Sequence, residues 1–120
     1  MSEPATTPPR MYIAVLADVP DYIVPTLVAH SVLGAHLWFT AGAGSSGREG
    51  YEDWLANSFR KCVVRVNQRE FDRIAALPLT YLGHENRTLG GVKSCAVPLP
   101  TADIPNVLKF ARLWAPIPVD

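Results

Sequence analysis

Hydrophobic positions along this chain alternate between strand-like and helix-like periods. Residues 11–17 (MYIAVLA) are continuously apolar and carry β-branched and aromatic side chains, which predicts a central strand buried on both faces. Asp18-Val19-Pro20-Asp21 breaks the run, and a helix can begin near Pro25, because proline is tolerated in a first helical turn. Residues 26–39 are apolar almost all round, so this helix is expected to pack deep against the sheet. The glycine- and serine-rich residues 40–50 read as a loop and as the place for mobility. Tyr51, Trp54, Leu55 and Phe59 mark a short helix, and residues 61–66 (KCVVRV) a second strand. Asn67 and Glu70 form a capping-box pattern before Phe71, Ile74 and Ala75, and Pro78 stops that helix. Residues 79–82 and 93–99 predict two more strands. Asp103 suits the cap of a last helix with the stripe Ile104, Val107, Leu108, Ala111 and Trp114, after which Pro116 and Pro118 end the order.

Strands and helices thus follow one another at βα spacing, apart from two successive strands near the end. The expected fold class is α/β: a three-layer sandwich with a four-stranded mixed sheet flanked by helices on both faces. At 120 residues the chain suits one core, expected over residues 11–115, with a disordered tail at residues 1–10 and a C-terminal tail at residues 116–120.

Composition and charge adjust this picture. With 48% hydrophobic and 18% charged residues the chain is globular, and its formal net charge of zero is a poor footprint for a protein whose main partner is nucleic acid. Residues 1–9 are polar and proline-bearing, without the apolar core of a signal peptide. The longest apolar stretch, residues 22–41, contains Pro25, Thr26, His30, Ser31 and His36 and reads as a buried helix rather than a membrane span. Cys62 and Cys95 lie in apolar strand-like runs and read as buried free thiols in a reducing compartment. A soluble, cytoplasmic protein without a membrane partner is expected.

Residues 82–101, LGHENRTLGGVKSCAVPLPT, join one strand to the next through the polar turn His84-Glu85-Asn86-Arg87-Thr88. This order, with Arg-Thr in the turn, resembles the C-terminal half of the type 2 peptidyl-tRNA hydrolase superfamily. The similarity runs from about Met11 to Trp114 and is carried by residues 13–18, 62–77 and 85–113. It implies the peptidyl-tRNA hydrolase II-like fold and cleavage of the ester between a peptide and the 3′ ribose of tRNA. Family members use a lysine near the start of the first helix and an Asp-x-x-x-Thr turn, usually Asp-Ala-Gly-Arg-Thr. A cation there can stabilise an oxyanion, while the carboxylate and hydroxyl position the lysine or a water. Arg87 and Thr88 match the turn, and Asp18 matches the aspartate at the end of the first strand. His84, with Glu85 beside it, stands where the turn has its aspartate, and no lysine or arginine occurs between Met11 and Gly47. The stretch Asp18-Val-Pro-Asp-Tyr-Ile also looks like a functionally uncharacterised branch of the superfamily, whose members carry an Asp-Leu-Pro-x-Trp-like start to the helix and lack the lysine.

The candidate catalytic residues are therefore His84, Thr88 and His30, with Asp18, Glu85, Asn86 and Arg87 as ligand contacts. His84 could act as a general base near neutral pH, Thr88 could orient water, and Arg87 could hold a carboxylate or phosphate. The same turn also reads as backbone-capping side chains, and His30, within the long helix, as a hydrogen-bonded core residue. No metal or cofactor is expected. The three histidines and two cysteines show no ligand spacing. Gly42, Gly44 and Gly47 spell G-x-G-x-x-G but follow a helix rather than a strand, which favours a connector. Arg69 and Arg73 share a helix face that reads as solvated. Three functions remain: a catalytically degenerate member that binds a small ligand or partner in the ancestral cleft, an active hydrolase on peptidyl-tRNA or a related ester, and an interaction module anchored by Trp54, Tyr51 or Trp38. Partners would be tRNA, a small ligand or a second copy in a homodimer.

Overall fold

The computed structural model describes residues 7–87 and 89–118. Its elements run β1 (Arg10–Leu16), a 3-10 turn (Asp21–Ile23), α1 (Val24–Ala41), a second 3-10 turn (Ser45–Gly47), α2 (Arg48–Asn57), β2 (Arg60–Val66), α3 (Gln68–Ala75), β3 (Thr80–His84), β4 (Lys93–Pro98), α4 (Asn106–Lys109) and β5 (Arg112–Leu113). The fold is α/β, built on an open mixed sheet in the order β3-β4-β1-β2-β5. β1 pairs parallel with β2 and antiparallel with β4, while β3–β4 and β2–β5 are antiparallel. Met11 to Leu16 are all buried, so both faces of the central strand are covered. α3 begins with the full capping box, in which Glu70 N–H donates to Asn67 Oδ1 at 2.8 Å and Asn67 N–H to Glu70 Oε1 at 2.9 Å.

The sheet has five strands rather than four, and the last helix is one turn rather than three. The later start of the helix follows from Pro105. A proline disfavours helical geometry in the residue before it, which moves the helix start past Ile104. Pro105 itself becomes the cap of α4. The chain is then free to extend, and Val64 and Arg65 of β2 pair with Leu113 and Arg112.

The expected C-terminal tail is tied down as far as it is described. Arg65 Nη2 donates to Asp21 Oδ1 at 3.1 Å and to the Ala115 carbonyl at 2.7 Å, and Ile117 N–H donates to Asp21 Oδ2 at 2.7 Å. The Ile117 N–H is the largest influence on the Asp21 carboxyl and, with Arg65, holds it below its ordinary value of 3.8 despite opposing desolvation. A carboxylate with a depressed pKa contributes stability that is complete above its unfolded value and lost as pH falls through the folded value. Acidification below about pH 3.8 should therefore release this segment first. The side-chain NMR signal of Trp114, which lies 5.1 Å from the Arg65 guanidinium, reports it. Asp21→Asn should abolish that acid transition; an unchanged transition in the variant would remove the carboxylate from this role. Residues 1–6, most of the expected N-terminal tail, lie outside the described residues, and Arg10 already belongs to β1.

α1 is not buried all round. Its inward residues are Val24, Leu27, Ser31, Ala35 and Phe39, while Leu33 and Leu37 are 65% and 60% exposed. By length and composition alone residues Asp21–Ala41 could cross a membrane, and 28% of an 18-residue apolar window within them is buried in the protein. Small residues face the sheet because two glycines bring helix and strand together. A Cβ on Gly83 would lie 2.1 Å from Ser31 Oγ, and one on Gly34 would lie 2.2 Å from the Tyr81 hydroxyl oxygen. α1 therefore crosses β3 at close range, with Ser31 over Gly83 and Gly34 over Tyr81.

Candidate functional site

That close crossing positions the site. His30 precedes Ser31 on α1 and His84 follows Gly83 on β3, so the Ser31–Gly83 contact draws both imidazoles to one edge. There His30, Tyr81, His84, Glu85, Asn86 and Arg87 line an open cleft of about 370 Å³. His30 is exposed on its rim rather than bonded in the core, and Tyr81 and His84 are half-buried. Of the other sequence candidates, Asp18 is exposed and does not line the cleft, and Thr88 lies outside the described residues.

His84 is the last residue of β3, not the first of the turn. Strand pairing passes from Gly83↔Cys95 to His84↔Lys93, so Ser94 is an extra residue on β4, a bulge of the kind that re-aims side chains. The bulge sets Lys93 opposite His84, with Lys93 Nζ 3.2 Å from His84 Nδ1. An ammonium group has only donors, so Nδ1 accepts and the ring proton resides on Nε2.

The turn after β3 is organised from within by Glu85, which is buried. Its Oε1 accepts the Arg87 N–H at 2.7 Å, its Oε2 accepts the Leu89 N–H at 3.2 Å, and its carbonyl accepts the Gly91 N–H at 3.1 Å. Gly90 and Gly91 close the turn with φ of 63° and 78°, left-handed values that glycine adopts without steric cost. The Glu85 carboxylate, expected as a ligand contact, lines the cleft while its oxygens accept from the backbone of its own loop. Asn86 and Arg87 remain exposed. Among the described residues the ion pairs are Arg48–Glu52 and Arg65–Asp21, so neither Arg87 nor Lys93 is neutralised by a carboxylate. The cleft consequently offers a guanidinium, a neighbouring ammonium and an imidazole N–H.

Other sequence candidates fall elsewhere. His36 Nδ1 lies 2.8 Å from the Tyr51 hydroxyl, away from the cleft. Both cysteines are free; burial raises the Cys62 thiol and pushes Cys95 up to about 12, with the Ser31 hydroxyl acting in the opposite sense on Cys95. Tyr51 and Trp54 are each only 2% exposed and Trp38 is half-buried, so the rings expected as interaction anchors belong to the core. No group of three metal-ligating side chains comes together among the described residues. Lys93 and Tyr81 were not among the sequence candidates. Counting the β3–β4 hairpin back from the turn would have brought Lys93 close to His84, but the bulge that pairs them leaves no mark in the sequence.

The chain matches no protein-family model and no curated protein.

Proposed function

We propose that this is a type 2 peptidyl-tRNA hydrolase-like protein, of the branch without the helix lysine, whose cleft binds a small ligand without turning it over. The reading places the protein in the cytoplasm. It rests on one observation: His30, Tyr81, His84 and Arg87, from α1, β3 and the following turn, converge on a single open cleft. The resemblance implies the order strand, long helix, short helix, strand, helix, two strands and helix; the elements follow it up to the last helix, which is one turn long and precedes a short fifth strand, and the cleft lies at the turn which the resemblance assigns to chemistry. What speaks against turnover is the state of His84. A general base needs an unprotonated nitrogen directed at the reacting group. Here Lys93 occupies Nδ1, which leaves Nε2 as an N–H donor.

Two measurements test this reading. Thermal-shift screening of nucleotides, amino-acid derivatives and peptides should yield a ligand that stabilises the protein by mass action, by about 2.7 kcal/mol at a hundredfold excess over Kd. The shift should shrink in Arg87→Ala. Incubation with a peptidyl-tRNA analogue should give no hydrolysis above background. Turnover that disappears in His84→Ala would instead make the protein an active hydrolase, and a screen without any stabilising compound would remove the binding role.

A further inference from the structure

The cleft offers donors far in excess of acceptors. Arg87 lines it with guanidinium N–H groups and His84 with its imidazole, while Lys93, outside the lining, sets its ammonium 3.2 Å from His84 Nδ1. Glu85 supplies the one carboxylate among the described lining residues, and both its oxygens accept backbone N–H groups from its own turn. Neither cation is paired with a carboxylate among the described residues. Asn86 and Tyr81 can donate or accept as required. A cationic or donor-rich ligand would meet like charge and few acceptors here.

We infer that the cleft takes a compact phosphomonoester, its phosphate held between the His84–Lys93 pair and Arg87. This inference rests on the ligand-binding role proposed above. A phosphate monoester carries close to two negative charges at neutral pH and three acceptor oxygens. Those oxygens match three donor groups from separate places: the end of β3, the turn after it and the start of β4. A carboxylate has one charge and two oxygens, and would leave one donor group unused. Arginine binds phosphate in a planar, bidentate manner, whereas lysine acts as a point charge that tolerates varied geometry. The volume of about 370 Å³ leaves room for a small organic body beside the phosphate.

The test uses the full chain at constant ionic strength, because exposed cations also attract anions diffusely. Inorganic phosphate and ribose 5-phosphate are titrated while the imidazole NMR signals of His30 and His84 are followed, with acetate as the comparison anion. Saturable movement of the His84 signals is expected with both phosphates and much weaker movement with acetate. Lys93→Ala and Arg87→Ala should each weaken phosphate binding roughly tenfold or more. Lys93→Arg should retain most of it, and Arg48→Ala, in the exposed pair on α2, should leave it unchanged. Backbone amide spectra of each variant verify that it is folded. Non-saturating shifts, equal loss in Arg48→Ala and Lys93→Ala, or equal binding of acetate would overturn the phosphate assignment. Adenosine or an N-acetyl amino-acid ester moving the same signals where phosphate does not would overturn it too, and leave the cleft as a binding site for neutral ligands. If no probe moves them, both the phosphate and the cleft reading fall.

Discussion

Trp54→Ala should cost about 3–5 kcal/mol of stability and lower Tm by roughly 10–20 °C. Trp54 is among the largest fully buried side chains and sits at the middle of an aromatic chain, tilted against Tyr51 at 5.5 Å and stacked with Phe59 at 5.5 Å. Its indole Nε1 also donates to the Arg60 carbonyl at 2.7 Å, at the first residue of β2. Truncation would leave a cavity, free the Arg60 carbonyl from its indole donor and remove the surface on which Phe59 rests. Phe59 has φ of 62°, a strained value for a non-glycine residue that persists only while its surroundings hold it. Trp54→Phe separates the contributions: it keeps most of the ring volume but loses the hydrogen bond, and should cost about 1–2 kcal/mol. Urea denaturation of both variants measures the difference. A Trp54→Ala cost below about 1 kcal/mol would mean that the α2–β2 corner repacks freely.

The elements that the sequence shows clearly are those whose local chemistry and tertiary role agree. β1 is an unbroken apolar run because both of its faces are covered. α3 carries its own start signal in Asn67 and Glu70, and the bonds form as the pattern implies. α1 was legible as a helix but not in its orientation. An all-apolar helix leaves its buried side undetermined, and the preference for large residues inside does not decide between Leu33 and Leu37 on one side and Leu27 and Phe39 on the other. Beside Val24, Leu27 and Phe39, the small Ser31 and Ala35 take inward positions, Ser31 where the strand approaches closely, while Leu33 and Leu37 are turned outward. The short fifth strand was hidden for another reason. Ile104, Val107, Leu108 and Ala111 spell a helical stripe, yet the helix starts only after Pro105 and stops at Lys109, and the chain pairs with β2 instead.

Much of the candidate site was visible in the turn His84-Glu85-Asn86-Arg87, because polar residues clustered between two apolar strands stand out in a sequence. The division of labour within the turn was not visible. Glu85 and Arg87 look alike as exposed turn residues, but only Arg87 faces solvent, while Glu85 folds inward onto the Arg87 and Leu89 amides. Lys93 does not stand out in the sequence because its partnership with His84 depends on pairing across the hairpin and on the bulge at Ser94. Long-range pairing of this kind is set by strand register rather than by neighbouring residues.

Register and close approach meet at Gly83, where a single methyl group should damage both fold and site. Gly83→Ala places a Cβ 2.1 Å from Ser31 Oγ, 2.8 Å from Ser31 Cβ and 3.3 Å from its Cα. The hydroxyl could rotate away, but the Ser31 Cβ and Cα belong to the rigid body of α1 and yield only if the helix lifts from β3. Overpacking of this kind should cost about 2–3 kcal/mol, or roughly 10 °C in Tm. Ser31→Ala removes the hydroxyl contact and leaves the other two, so Gly83→Ala/Ser31→Ala should recover only part of the loss; a double-mutant cycle measures that coupling. Lifting α1 also moves His30 away from His84, so any cleft ligand should lose affinity in Gly83→Ala even at temperatures where the variant is fully folded. Full rescue by Ser31→Ala, or a Gly83→Ala protein with native stability, would show that helix and strand are not locked at this point. The convergence of the two histidines would then need another cause.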